Sequence, residues 1–150
     1  MQAIQHAFFE DFGEGEELMT RGRTVSRADV VNFAAVSGDY DPLHMDIEFG
    51  KKTIFGKNVA HGLCVMSIAS GLIGATGIFR NVMAFYGMEN WQFKLPLFFD
   101  DTIRVRIRVV SRKEGSKPDR GIVCLGLDVL NQRDEVLQQG KWNVLIRKKG

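Results

Sequence analysis

The chain has 150 residues, 45% of them hydrophobic and 25% charged, and a formal net charge of +2. That length suits one domain, residues 1–150, with a core large enough to need no disulfide or metal staple. The charge is too mild for a nucleic-acid partner, and neither a basic arm nor an aromatic-basic platform is present.

The N-terminal run MQAIQHAFFEDFGEGEE lacks the basic-then-apolar order of a signal peptide. Residues 10–16 form an acidic, Gly-rich lead-in, and residues 17–25, ELMTRGRTV, read as a first strand. Ser26 and Asp29 have the spacing of a capping box, so a helix is expected from there to Ser37-Gly38, where glycine supplies the stop. Residues 38–46, GDYDPLHMD, are expected to form a loop, because Asp41-Pro42 disfavours helix. A short helix over roughly 46–52 follows.

Residues 61–75, HGLCVMSIASGLIGA, are apolar or small on every face, and no charge occurs between Lys57 and Arg80. Such a helix is expected to be buried all round, about 22 Å long, with a neighbour packed close to its glycines. Its Cys64, like Cys124 further on, has no CxxC partner and no histidine at metal spacing. Both read as reduced core thiols, which suits a cytoplasmic protein. No stretch reaches the length of a membrane span.

The remainder is strand-like. Residues 82–93 are aromatic and Met-rich, and 102–110, TIRVRIRVV, alternate Ile and Val with Arg104, Arg106 and Arg108. That alternation marks a half-buried strand with the arginines on solvent or at an interface. Residues 121–130 are apolar on both faces, and in 135–146 Val136, Trp142, Val144 and Ile146 share a parity. One buried helix followed by antiparallel strands gives an α+β layer architecture.

The chemistry concentrates in SGDYDPLHMD, which places Asp39, Asp41, His44 and Asp46 within eight positions. An acid and an imidazole held across a proline turn can bind one water, take its proton and direct it. The same residues also fit a structural reading, an Asx turn with a packed histidine. A metal reading is weaker, because the spacing matches neither a zinc pair nor a calcium loop. At His61-Gly62, the start of the buried helix, the Gly62 N–H is placed to bind a developing oxyanion. The His61 side chain reads as a packing or capping group. Ser67 and Ser70 either bond back to the preceding turn or face a pocket.

Asp39-Tyr40-Asp41-Pro42-Leu43-His44, Val59-Ala60-His61-Gly62 and Ser70-Gly71 together resemble the MaoC-like (R)-specific enoyl-CoA hydratases, whose motif is D-x-N-P-x-H, then H-G and a small-residue helix. The resemblance runs from about residue 17 to the last strand. It implies a hot-dog fold, a long central helix wrapped by a curved antiparallel sheet. It also implies reversible hydration of a trans-2-enoyl-CoA to a (3R)-hydroxyacyl-CoA. The family's catalytic pair falls on Asp39 and His44, its oxyanion donor on the Gly62 amide, and its pocket serine on Ser70. Asp41 and His61 are further candidates for substrate contact. Lys57, Lys113 and Lys117 are the candidates for CoA phosphates, beside Lys51 and Lys52. No metal and no cofactor beyond the substrate's own CoA is expected. The partners expected are the acyl-CoA and a second copy of the chain, as a homodimer or higher homo-oligomer. Alternatives are a hot-dog acyl-CoA thioesterase and a non-catalytic acyl-thioester-binding subunit. Two positions depart from the pattern. Asp41 replaces the usual Asn, an acceptor-only group in place of an amide. Asp100 stands before Asp101-Thr102, where glycine is usual.

Overall fold

A computed structural model describes residues 7–150, so the first six residues of the run that lacks a signal pattern lie outside it. Strands β1 (Glu17–Met19) and β2 (Arg23–Thr24) come first, followed by helices α1 (Arg27–Ser37), α2 (Pro42–Met45), α3 (Ile47–Gly50) and α4 (Gly62–Ala75). Four long strands complete the chain: β3 (Val82–Phe93), β4 (Thr102–Glu114), β5 (Arg120–Leu130) and β6 (Val136–Arg147). All pairings are antiparallel; the sheet runs β1-β4-β5-β6-β3, and β2 pairs with β4 further along. The helix α4 lies against the inner face, where Val65, Ile68, Leu72 and Ile73 meet Val105, Ile107, Leu125, Leu127 and Val144. This is the hot-dog arrangement.

The first expected strand is broken in two. Thr20 turns inward, and its hydroxyl accepts the Val105 N–H at 2.8 Å. Its own N–H donates to the Val105 carbonyl at 2.9 Å. The stretch Thr20–Gly22 therefore interrupts the ladder between β1 and β2. The Ser26 capping box forms as expected: the hydroxyl accepts the Asp29 N–H and the Asp29 carboxylate accepts the Ser26 N–H. Gly38 ends α1 at φ 77°.

Residues 38–46 are not all loop. Pro42 opens the one-turn helix α2, with Asp41 as its N-cap. Proline is tolerated there because the first helical amide needs no partner.

Nor is α4 buried all round. Leu63, Ser67, Ser70, Gly71 and Gly74 form an exposed stripe along it. A Cβ on Gly71 or Gly74 would meet nothing, so neither glycine is there to admit a neighbour within this chain. Beside that stripe, β3 is the last strand of the sheet and exposes Phe85, Tyr86 and Met88. The alternating arginines of β4, Arg104, Arg106 and Arg108, face outward as expected, and each is paired. Arg104 meets Asp134, Arg108 meets Glu17, and Arg106 binds the Asp128 carboxylate at 2.7 and 3.1 Å. At their exposure each pair contributes about 0–1 kcal/mol. Among the described residues no helix is long and apolar enough to cross a membrane.

Candidate active site

The site is organised by one short segment, Asn58 to Gly62, which runs into α4. Asn58 is buried, and its Nδ2 donates to the carbonyls of Leu43 and Asp46 at 2.8 Å each and to that of Pro42 at 3.3 Å. It thereby ties α2 and the start of α3 to the segment. The next residue, Val59, offers its carbonyl to His44 Nδ1 at 2.7 Å. A carbonyl only accepts, so Nδ1 carries the proton. In the neutral ring Nε2 is then the basic nitrogen. Nothing else in the chain binds it among the described residues.

His61, at the N-cap of α4, is buried and donates Nε2–H to the main-chain carbonyl of Asp39 at 2.9 Å. Its ring stacks on His44 with centroids 3.7 Å apart and planes 29° apart. Its Nδ1 has no partner. The Asp39 carboxylate lies 4.0 Å from His61 Nε2 and is about half exposed. Asp39, His44 and His61 each bring a ligand atom to within 4.8 Å of the others. As a metal site the cluster is poorly arranged. A metal lies in the plane of each imidazole that binds it, and two rings stacked face to face cannot both point their in-plane lone pairs at one ion.

A cavity of about 310 Å³ opens beside this cluster, walled by His44, Phe55, Gly62, Val65, Phe93 and Leu97. Its lining is mainly apolar, and Lys94 and Gln138 supply polar groups. The Gly62 N–H is the first amide of α4 and takes no acceptor in the chain among the described residues. The Gly62 carbonyl is fixed by Gln138 Nε2 at 2.9 Å, and Gln138 Oε1 in turn accepts the Trp91 indole N–H at 3.1 Å. A Cβ on Gly62 would come within 2.7 Å of the Phe93 ring, so glycine is what allows this close approach.

The structure brings Asp39 and His44 together beside His61, and it sets His44 and Gly62 on one cavity wall, which Asp39 does not line. Four other expectations need correction. Asp41 does not line that cavity, and its Oδ1 caps α2 by accepting the Leu43 N–H at 2.9 Å. An asparagine carbonyl would cap equally well, so the departure from Asn leaves the turn intact. The structural reading, an Asx turn, therefore holds for Asp41, and also for Asp39, whose Oδ1 accepts the Asp41 N–H at 3.2 Å. His61 does not line the cavity and is only 3% exposed, stacked against His44, so its side chain is not open to substrate. Ser70 lies on the exposed stripe of α4, with its hydroxyl spent on the Ser67 carbonyl at 2.6 Å. Ser67 likewise bonds back to Leu63. Lys113 and Lys117 are at the far end of the sheet. Lys113 pairs with Ile122, which pairs with Leu145, about 25 Å along β6 from Leu137 on the cavity wall. Of the three lysines only Lys57 is near, between Phe55 and Val59, with its ammonium 4.3 Å from the Phe98 ring centre.

The sequence reading missed Asn58, Phe93, Lys94 and Gln138. Gln138 carried a usable signal, since it shares the parity of Trp142, Val144 and Ile146 and is a polar residue on an apolar face. Both cysteines are free and buried, and burial pushes the Cys64 thiol up to about 11, which leaves it inert beside the site.

A family model described as the MaoC like domain matches residues 11–129. The chain is similar to Protein MaoC of Klebsiella aerogenes, 45% identical over 100 residues, which cover 67% of this chain and 30% of that one. It is also similar to the (R)-specific enoyl-CoA hydratase of Aeromonas caviae, 32% identical over 105 residues that cover 70% of this chain and 74% of that one. Its fold superposes on a solved structure described as the monoamine oxidase regulatory protein of Archaeoglobus fulgius, with a TM-score of 0.91, 36% identity and 100% of both chains covered.

Proposed function

The chain belongs to the MaoC-like domain family, and on that premise we propose that it adds water reversibly across the C2–C3 double bond of a trans-2-enoyl-CoA, giving a (3R)-hydroxyacyl-CoA. The observation that carries this reading is the state of His44. Its Nδ1–H is committed to the Val59 carbonyl, so Nε2 is left basic on the wall of the cavity that also holds the unpartnered Gly62 amide. The name of the Aeromonas caviae relative supplies the reaction class.

In this reading the water sits between His44 Nε2 and the Asp39 carboxylate. One group takes its proton as oxygen bonds to C3, and the other delivers a proton to C2. The Gly62 N–H binds the thioester oxygen as it gains enolate charge. One such donor lowers the barrier by about 2.7–4 kcal/mol. The reading needs no metal or further cofactor. The CoA phosphates are assigned to Lys57, which lies in sequence between Phe55 and Val59 of the cavity wall, and to Lys94 of that wall. The enzyme acts in the cytoplasm as a homodimer. The second copy covers the stripe of α4 and the Phe85, Tyr86 and Met88 face of β3, which one chain leaves open. Ser70 lies on that stripe, so any role at the site requires the second copy.

The test is direct. Asp39→Asn and His44→Gln each lower turnover of a trans-2-enoyl-CoA by about 10²–10⁴-fold, followed by its enoyl-thioester absorbance, while far-ultraviolet circular dichroism stays that of the wild type. Near wild-type rates in both variants would contradict the assignment.

A further inference from the structure

We propose that His61 is a positioning residue that acts on both members of the pair at once. Its Nε2–H fixes the main chain at Asp39, and its ring face braces the imidazole of His44. The inference rests on the hydratase reading for its consequences, though not for its geometry.

Two rings pack against His61. His44 stacks on it at 3.7 Å, and Phe33 of α1 lies 4.9 Å away with planes 56° apart. The ring therefore meets both α1 and α2 while its own backbone opens α4. Asp39 follows the end of α1, and His44 lies within α2. A single side chain thus links the elements that carry the acid, the base and the Gly62 amide.

The choice of residue follows from two demands. A phenylalanine at 61 would fill the clamp and leave no buried nitrogen without a partner, but it could not donate to the Asp39 carbonyl. A glutamine could donate, but it offers no flat ring for His44. Histidine meets both demands, at the cost of the orphaned Nδ1. The His44 ring is held at three places, by the Val59 carbonyl on Nδ1, by the α2 backbone that Asn58 ties down, and by the His61 face. The face contact adds to the Val59 hydrogen bond in opposing a turn of the ring about its Cβ–Cγ bond, which would carry Nδ1 away from that carbonyl.

The experiment separates the two contacts in the full-length protein. His61→Phe keeps the brace and loses the donor; His61→Gln keeps the donor and loses the brace. With trans-2-butenoyl-CoA, both variants are expected to lose about tenfold to hundredfold in kcat, with KM within about threefold, since a misplacement of about 1 Å has that effect. ¹⁵N–¹H correlation of the imidazoles reads the brace without substrate. His44 keeps the Nδ1–H pattern in the wild type and in His61→Phe, and shows mixed tautomers in His61→Gln. If wild-type protein hydrates no enoyl-thioester, the hydratase reading fails, and the His44 spectra still decide whether His61 braces that ring. Phe33→Leu removes the second ring packed on His61, loosening the clamp, and serves if a His61 variant does not fold; the same mixing of His44 tautomers is expected. The proposal is overturned if His61→Phe and His61→Gln keep kcat within twofold of wild type, or if His44 keeps one tautomer in every variant that loosens the clamp.

Discussion

Replacing Asn58 by alanine removes the amide that ties the His44 turn to the start of α4. The two bonds at 2.8 Å use both Nδ2 hydrogens, and the 3.3 Å approach to the Pro42 carbonyl shares one of them. None of the three carbonyls is orphaned by the change. Pro42 O keeps the Asp46 N–H at 2.9 Å, Leu43 O the Val59 N–H at 3.4 Å, and Asp46 O the Gly50 N–H at 2.9 Å. The loss is therefore two neutral hydrogen bonds without a full desolvation penalty, about 2 kcal/mol. For a chain of this size that lowers Tm by about 4–8 °C in scanning calorimetry. Asn58→Asp has the same shape but presents oxygen to oxygen in a buried site, and it should cost more than alanine, about 3–5 kcal/mol. Its folded-state pKa would lie above the unfolded value, so its deficit should shrink as pH falls through that raised value. An alanine variant within 1 °C of wild type, or an aspartate variant more stable than the alanine one at neutral pH, would refute the clamp.

Asp100 sits at φ 70°, in the left-handed region, with its side chain exposed. Asp100→Gly should therefore raise stability by about 0.5–1 kcal/mol in urea melts, and a loss would show that the side chain matters there. Asp29 titrates below the ordinary carboxylate range: burial pushes it up, but the Ser26 amide and hydroxyl and the Arg23 guanidinium together outweigh burial. Because the folded value is the lower one, its stabilisation is present above the unfolded carboxylate pKa and is lost as pH falls through the depressed value. Acid melts of Asp29→Asn should consequently be flatter than those of wild type over that window, and coincident curves would contradict the capping account. The Cys64 thiol, raised to about 11 by burial, should react with iodoacetamide at pH 8 only as fast as the protein unfolds. Rapid labelling of the native state would contradict its placement.

How much was legible follows from the range of each interaction. Local signals worked: the Ser26/Asp29 box, the Gly38 stop, the period of β4 and the uncharged α4 all depend on neighbours in sequence. Pro42 was misjudged because the same residue breaks a helix interior and opens a helix end, and only the Asp41 cap decides between the two. Glycine is usual at position 100, and the positive φ there gives the reason. Burial of α4 was overstated because an apolar stripe cannot reveal whether its cover belongs to the same chain. Asn58 and the His61–His44 stack were beyond reach, since each depends on segments that meet only after folding. The assignments of Lys113 and Lys117 failed for a related reason: charge was visible, but distance along the sheet was not.

The most direct test of the account is the product formed from trans-2-butenoyl-CoA. The purified protein should consume the enoyl-thioester absorbance and yield 3-hydroxybutyryl-CoA of the R configuration, with the thioester intact, and Asp39→Asn should do neither. Release of free CoA thiol without a 3-hydroxy product, a product of the S configuration, or binding with no turnover would contradict the assignment of Asp39, His44 and Gly62.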